Sequence, residues 1–279
     1  MSRAGGPPLL PADLTASIVL LRHGESTYIV EGRFQGRADP PLSPRGERQA
    51  ALAADRLASP ARPPALPITP SAPVEIVHSP LGRAAATAHA VAVAIGGAGS
   101  AVPIRADPDL IEISQGEWEG RTQADIEARD LELLNAWRRD ATRAVAPGGE
   151  RIAEAAVRAR TGLERTVTNL RAVAEPDPDS ILRPVVDGYR RATGLTMPWT
   201  LAVAHDGILK VMVLTLFDLP LDRFWSFPFA LCGISVVELR GGRALLRAHN
   251  LGDHLATLEA ADAAEATAGN DGKERGGAL

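Results

Sequence analysis

At the end of a strand a histidine can act as a nucleophile, an arginine can hold an anion and a glutamate can move a proton. The 279-residue sequence offers candidates for each where apolar runs give way to polar clusters. His23 follows Ile18-Val19-Leu20-Leu21-Arg22 and precedes Gly24-Glu25-Ser26. Gly24 allows a tight turn and lets backbone amides approach an anion. An imidazole at such a turn can attack phosphorus if its other nitrogen donates to a backbone carbonyl, which fixes the tautomer. A lone histidine after a strand is more often structural, and the flanking Arg22 and Gly24 are what make this one a candidate nucleophile.

Arg83 lies near the start of a helix expected after Ser79-Pro80. A guanidinium fork beside a helix N-terminus can hold a dianionic phosphoryl group, and Arg22 supplies a second fork. His205 follows Ala202-Val203-Ala204 and offers another donor to the phosphoryl oxygens. Glu112, set between Ile111 and Ile113, should have a raised pKa, fitting it to protonate a departing alkoxide and later to deprotonate water. Glu117 and Glu119 compete for that role, and spacing alone does not choose among the three.

The elements that must position these residues can be read from apolar periodicity. Strands are expected at 18–21, 74–77, 102–104 and 200–204, with a hairpin at 234–239 and 244–248 through Gly241-Gly242. Helices are expected at 42–57, 81–95, 121–140, 150–175 and 208–217, the first with Ser43 as N-cap and Pro44 at its first position. Strands alternating with helices imply an α/β three-layer sandwich, a mostly parallel sheet with helices on both faces. Ligands bind beyond the carboxyl ends of such strands, and three ends here carry polar clusters: Arg22-His23, His78-Ser79 and His205-Asp206. One domain is expected over 17–258, with a flexible leader at 1–16, a proline-rich surface insertion at 59–73, an unassigned insertion at 175–199 and a disordered tail at 259–279.

Composition narrows the partners. With 30 basic and 34 acidic residues the net charge is −4, which favours neither nucleic acid nor an anionic membrane surface. An acidic protein that binds phosphate must do so with placed arginines. The single cysteine, Cys232, cannot form an internal disulfide and reads as a small buried hydrophobe. No run approaches the roughly 18 apolar residues of a membrane span, so a soluble cytoplasmic protein is expected. His249 and His254 near Asp253 lack the spacing of a helical ligand pair, and no HExxH, phosphate-loop or Gly-x-Ser-x-Gly motif occurs. Neither a metal nor another cofactor is expected.

Several motifs in order carry a resemblance. RHGES leads into EGRFQG, then D-x-P-L-S and G-x-x-Q-A; S-P-L-G-R-A-x-x-T-A spans 79–88, L-x-E-I-x-x-G-x-W-E-G spans 110–120, PGGE spans 147–150 and VAHDG spans 203–207, while Asn250 and His254 also fit. Together these resemble the histidine phosphatase superfamily, in its phosphoglycerate-mutase-like branch, over roughly residues 17–255. The resemblance implies that His23 is phosphorylated, that Arg22, Arg83 and His205 hold the phosphoryl group, and that Glu112 is the proton donor. It implies that Ser26 and Gln35 line the phosphate and substrate side of the pocket.

Two positions depart from the pattern: Ile29 stands where many relatives have asparagine, and Asp206 where glycine is usual. The expected activity is hydrolysis of a small phosphorylated metabolite; the alternatives are a phosphoglycerate-type mutase and a catalytically degraded phosphate-binding regulator. Specificity should come from 122–147 and 175–199, where Trp137, Arg138, Arg139, Arg143, Arg190 and Arg191 offer a place for a second anionic group. The hairpin at 234–248 offers an edge for pairing in a homodimer.

Overall fold

Residues 8–97, 101–177 and 197–262 are described by the computed structural model. In chain order the elements are β1 (Thr15–Arg22), α1 (Thr27–Val30), α2 (Pro44–Ala58), β2 (Ile76–His78), α3 (Gly82–Gly96), β3 (Ile104–Ala106), α4 (Gln123–Arg139), α5 (Ile152–Val173), β4 (Trp199–Ala204), α6 (Asp206–Leu216), β5 (Ile234–Arg240) and β6 (Arg243–Leu251).

The layering follows from the two-residue period of the central strands. Along β1, Ile18 and Leu20 join a core with α5 and α6, whereas Val19 and Leu21 join a second core with α2 and α3. Along β4, Ala202 and Ala204 face the first core and Leu201 and Val203 the second. Both faces of the sheet are thus dry, which is why these strands read as continuous apolar runs. The strand order is β3-β2-β4-β1-β5-β6. β1 to β4 form a parallel set, and β5 and β6 add an antiparallel hairpin at one edge. The three-layer, mostly parallel architecture expected from the sequence is therefore present.

The helix starts obey local chemistry. Ser43 Oγ accepts the Gly46 amide at 3.0 Å, with Pro44 opening α2. Thr122 and Asp125 cap α4 reciprocally. Interior α6 is apolar on nearly every side and buried over most of its length, as a helix enclosed by the core should be.

Tertiary pairing shifts some boundaries. β2 is Ile76–His78 rather than 74–77, and β3 is Ile104–Ala106 rather than 102–104, because the ladder sets His78 against Val203 on one side and Ala106 on the other. Within the expected leader, Leu10 and Leu14 are buried and Asp13 accepts from Arg171 at 2.8 Å, so this stretch packs onto α5. The proline-rich segment at 59–73 is surface loop for most of its length, but Leu66 and Ile68 drop into the α2/α3 core. Of the insertion at 175–199, residues 178–196 lie outside the described residues, as does the tail from 263 onward; residues 259–262 are helical. No helix among the described residues is long and apolar enough to cross a membrane.

Leu66 and Ile68 anchor that loop, so Leu66→Ala or Ile68→Ala should each lower unfolding free energy by about 2–4 kcal/mol in urea titrations followed by circular dichroism. Ala65→Ser, at an exposed neighbour, should stay within about 0.5 kcal/mol.

Candidate active site

The three polar clusters meet because the parallel ladders end almost flush. Arg22 is in register with Ala204, and His78 with Val203. Pairing then runs one residue further: His23 N donates to Ala204 O at 3.0 Å and Ser79 N to Val203 O at 3.0 Å. The His23 and His205 rings consequently face each other with centroids 5.0 Å apart and an interplanar angle of 61°. The turn after His23 packs tightly on the start of α2, where a Cβ at Gly24 would fall 2.4 Å from Gly46 O and one at Gly46 would fall 1.9 Å from Glu25 O. Two glycines make that approach sterically possible.

A hydrogen bond assigns the tautomer of His23. His23 Nδ1 lies 2.6 Å from Gly24 O, an acceptor only, so Nδ1 carries the proton. Nε2 is left with its lone pair, toward which Arg83 Nε donates at 3.3 Å. Arg83 is otherwise pinned, Nη1 to Ala38 O at 2.7 Å and Nη2 to Gly36 O at 2.9 Å. His205 Nε2 lies 2.7 Å from Ser79 Oγ. That oxygen also accepts the Leu81 amide, so with the hydrogen of His205 on Nδ1 the Ser79 hydroxyl donates to Nε2. His205 Nδ1 is buried with no partner, and so is Arg22 Nε, although Arg22 Nη1 donates to Phe229 O at 2.6 Å. Burial holds the pKa of both histidines well below the ordinary value, with Arg83 and Arg22 lowering that of His23 further. Both imidazoles are neutral near pH 7.

Of the three candidate carboxylates, the structure brings Glu112 to this end of the sheet. Its Oε1 accepts the amides of Ile113 at 2.8 Å and Ile208 at 3.0 Å, and Oε2 accepts that of Gly207 at 3.1 Å, so it docks on the first turn of α6 just beyond His205. A Cβ at Gly207 would fall 2.7 Å from Glu112 Oε1, so a larger residue there would displace the carboxylate. Burial raises the Glu112 pKa against the opposing pull of the amides, and Asp206 raises it further. Glu117 is exposed and pairs with Arg129, whereas Glu119 accepts from Ser114 Oγ and from the amides of Gln115 and Arg37.

Asp206 does not confront the imidazoles. Its carboxylate accepts the Phe229 amide at 3.1 Å and Lys210 Nζ at 2.5 Å. Lys210 is held in turn over Trp225, 4.7 Å from the ring centroid. Beside Glu112 and Asp206 lies a cavity of about 90 Å³ walled by Ile113, Trp137, Ile152, Phe224 and Trp225.

Other expected residues are distributed less tightly. Ser26 Oγ donates to Gln35 Oε1 at 2.6 Å and caps α1, in which Ile29 lies. Trp137 reaches the cavity wall, but Arg138 pairs with Glu127, Arg139 donates to Asn135 O and Arg143 is 87% exposed beside Asp140. Arg190 and Arg191 fall outside the described residues. His78, third of the strand-end residues, bonds Ser79 O and faces His89 instead of the His23–His205 pair. Cys232 is buried, its thiol pushed up to about 12, and its amide donates to Arg22 O and His23 O. His249 and His254 turn to different partners, Ser235 Oγ and Cys232 O. Sequence reasoning gave Ser79 and Lys210 no role; Ser79 stood in a noticed cluster, and the four-residue spacing from Asp206 to Lys210 on a helix was a readable signal.

Comparison with known proteins identifies the family. The family model described as histidine phosphatase superfamily (branch 1) matches residues 18–174 and 182–252. A glucosyl-3-phosphoglycerate phosphatase of Mycolicibacterium vanbaalenii is 33% identical over 224 residues, 80% of this chain and 84% of its own. An adenosylcobalamin/α-ribazole phosphatase of Salmonella typhimurium is 28% identical, covering 83% and 94%. The solved structure of a mycobacterial glucosyl-3-phosphoglycerate phosphatase in complex with VO3 superposes with a TM-score of 0.63 at 27% identity, over 85% of this chain and 100% of that one. Matched along most of its length, this chain belongs to the histidine phosphatase superfamily.

Proposed function

We propose that this histidine phosphatase hydrolyses a small phosphorylated metabolite in two steps, through a covalent phosphoryl adduct on His23. One observation carries the reading: Arg22 Nε, a buried donor without a protein partner, and His205 Nδ1, a second buried nitrogen without one, accompany the lone pair of His23 Nε2. A buried donor left unpaired is costly, and a phosphoryl group would satisfy Arg22 Nε and, with its proton on Nδ1, His205. Asp206, turned to Lys210 and the Phe229 amide, does not oppose an anion there, which weighs against a degraded, non-catalytic role.

In the first step His23 Nε2 attacks phosphorus, the P–O bond to the leaving group breaks, and Glu112 passes its proton to the departing oxygen. As the anion enters, Arg83 Nε transfers its hydrogen bond from the imidazole to a phosphoryl oxygen, while the carbonyls of Gly36 and Ala38 keep the guanidinium in place. In the second step the Glu112 carboxylate takes a proton from water, whose oxygen attacks phosphorus; the N–P bond breaks and inorganic phosphate leaves. Arg22, Arg83 and His205 carry the negative charge throughout, and Ser26 and Gln35 line the entrance side. Because Glu112 meets the leaving group, the adjoining aromatic cavity is where the organic part of the substrate lies. The relatives named for glucosyl-3-phosphoglycerate and α-ribazole support a small metabolite as substrate. A single buried thiol fits the cytoplasm.

With p-nitrophenyl phosphate, wild-type turnover should persist in EDTA and fall by about three orders of magnitude or more in His23→Ala. Alkaline quenching should trap phosphate on the wild-type protein that is released by acid. Undiminished turnover in the variant would reject the nucleophile, and turnover abolished by EDTA would reject the arginine-based mechanism.

The buried imidazoles also predict a pH dependence of stability. Their folded-state pKa values are lowered from 6.5, so the unfolded chain takes up protons first as pH falls. Their contribution is complete above 6.5 and is lost progressively below it. Between pH 7.5 and 5.5 the loss of unfolding free energy should be smaller in His23→Asn than in wild type by about 1 kcal/mol, measured by urea titration at each pH.

A further inference from the structure

The segment that carries Glu112 has no regular secondary structure to hold it, apart from short 3-10 turns at Pro108–Leu110 and Gly116–Trp118. We infer that Glu150 is a positioning residue for proton transfer: through Arg158 and Arg37 it fixes where the Glu112 carboxyl stands. The inference rests on the assignment of Glu112 as the proton donor.

Glu150 lies just before α5, with its side chain 11% exposed. It receives Arg158 in a two-pronged ion pair, Nε to Oε1 at 2.7 Å and Nη2 to Oε2 at 2.9 Å. The remaining arm of Arg158, Nη1, donates to Asp109 O at 2.8 Å and to Ile111 O at 2.6 Å. Arg37 Nη2 approaches Glu150 Oε2 at 3.1 Å, and Arg37 Nε donates to Glu112 O at 3.2 Å. The Glu150 backbone amide donates to Ser114 O at 3.0 Å. The carbonyls at 109, 111, 112 and 114 are therefore all held by Glu150 or by the two guanidinium groups it gathers.

The geometry has a direction. Arg37 sits between Gly36 and Ala38, the residues whose carbonyls hold Arg83. One carboxylate thus ties the loop that seats the phosphate-holding arginine to the segment that seats the acid. A planar carboxylate facing a planar guanidinium resists rotation, so the separation of the two functional groups is set by a rigid bridge rather than by loop stiffness. Removing the negative charge would leave two cations facing each other across the gap, with Arg158 only 14% exposed. The Glu112 segment would then lose its register relative to the imidazoles while the imidazoles stayed put on their strands.

A positioning role for an acid is distinguishable from a general structural role by the leaving group. Protonation matters for an alkoxide and little for p-nitrophenolate, and kcat/KM reports the step in which the leaving group departs. For the full-length chain, kcat/KM should be measured on glycerol phosphate, phenyl phosphate and p-nitrophenyl phosphate for wild type, Glu112→Gln and Glu150→Gln. Glu150→Gln should lose about 10- to 100-fold on glycerol phosphate but less than about threefold on p-nitrophenyl phosphate, a weaker copy of the Glu112→Gln profile. Glu150→Asp, which keeps the charge, should recover part of the glycerol phosphate loss. Equal losses on all three substrates, or none, would overturn the inference. Should Glu150→Gln fail to fold by circular dichroism, Arg37→Gln at the more exposed end of the bridge should give the same graded pattern, and a flat one would overturn it. A flat profile for Glu112→Gln would remove the proton-donor assignment itself, whereas a graded Glu112→Gln profile beside a flat Glu150→Gln profile would remove only the role of Glu150.

Discussion

The ladder between β1 and β4 continues past the last strand residues, because the His23 amide donates to Ala204 O at 3.0 Å. That bond places the two histidines at equivalent heights on adjacent strands, and strand spacing then brings their rings to 5.0 Å. On the other side of β4 the same extension places Ser79 where its hydroxyl meets His205 Nε2. The geometry of the site is thus inherited from main-chain hydrogen bonding in the most protected part of the molecule. A slip of one residue would turn each imidazole to the opposite face of the sheet.

Around this frame, charge is distributed unevenly. The chain carries a net charge of −4, yet the groups closest to His23 are guanidinium. Carboxylates elsewhere are engaged with one another's cations: Asp107 takes Arg105 and Arg165, and Glu75 takes Arg105 and Asn169. Desolvation, with Arg83 and Arg22 nearby, keeps both histidines neutral, as the proposed roles of nucleophile and donor require. Cationic groups thus cluster around His23 within an acidic chain.

Two carboxylates sit at the start of α6 and are separated by their partners. Glu112 takes amides at the helix N-terminus, where the dipole favours negative charge, but burial prevails and its pKa rises. Asp206 is satisfied by Lys210 one turn along the helix and by the Phe229 amide. Lys210 in turn rests against Phe224 and Trp225, which wall the cavity next to Glu112. The aspartate at 206, where the resemblance leads one to expect glycine, is thus engaged in a local ion pair.

Local pattern was enough to read the layered α/β architecture, the capping of α2 by Ser43, and the strand-end clusters holding His23 and His205, since each depends on residues close in the chain. The motifs around Arg83 and Glu112 were legible for the same reason. Tertiary structure decided what depends on distance between remote segments. It brought Glu112, rather than Glu117 or Glu119, to the α6 amides, and turned Asp206 aside. It sent Leu66 and Ile68 inward from a stretch whose prolines read as pure surface. Arg158, in the middle of α5, carried no local sign that it would reach the carbonyls of Asp109 and Ile111. Periodicity reports which face of an element is buried, but only packing determines which side chains from distant elements share the resulting space.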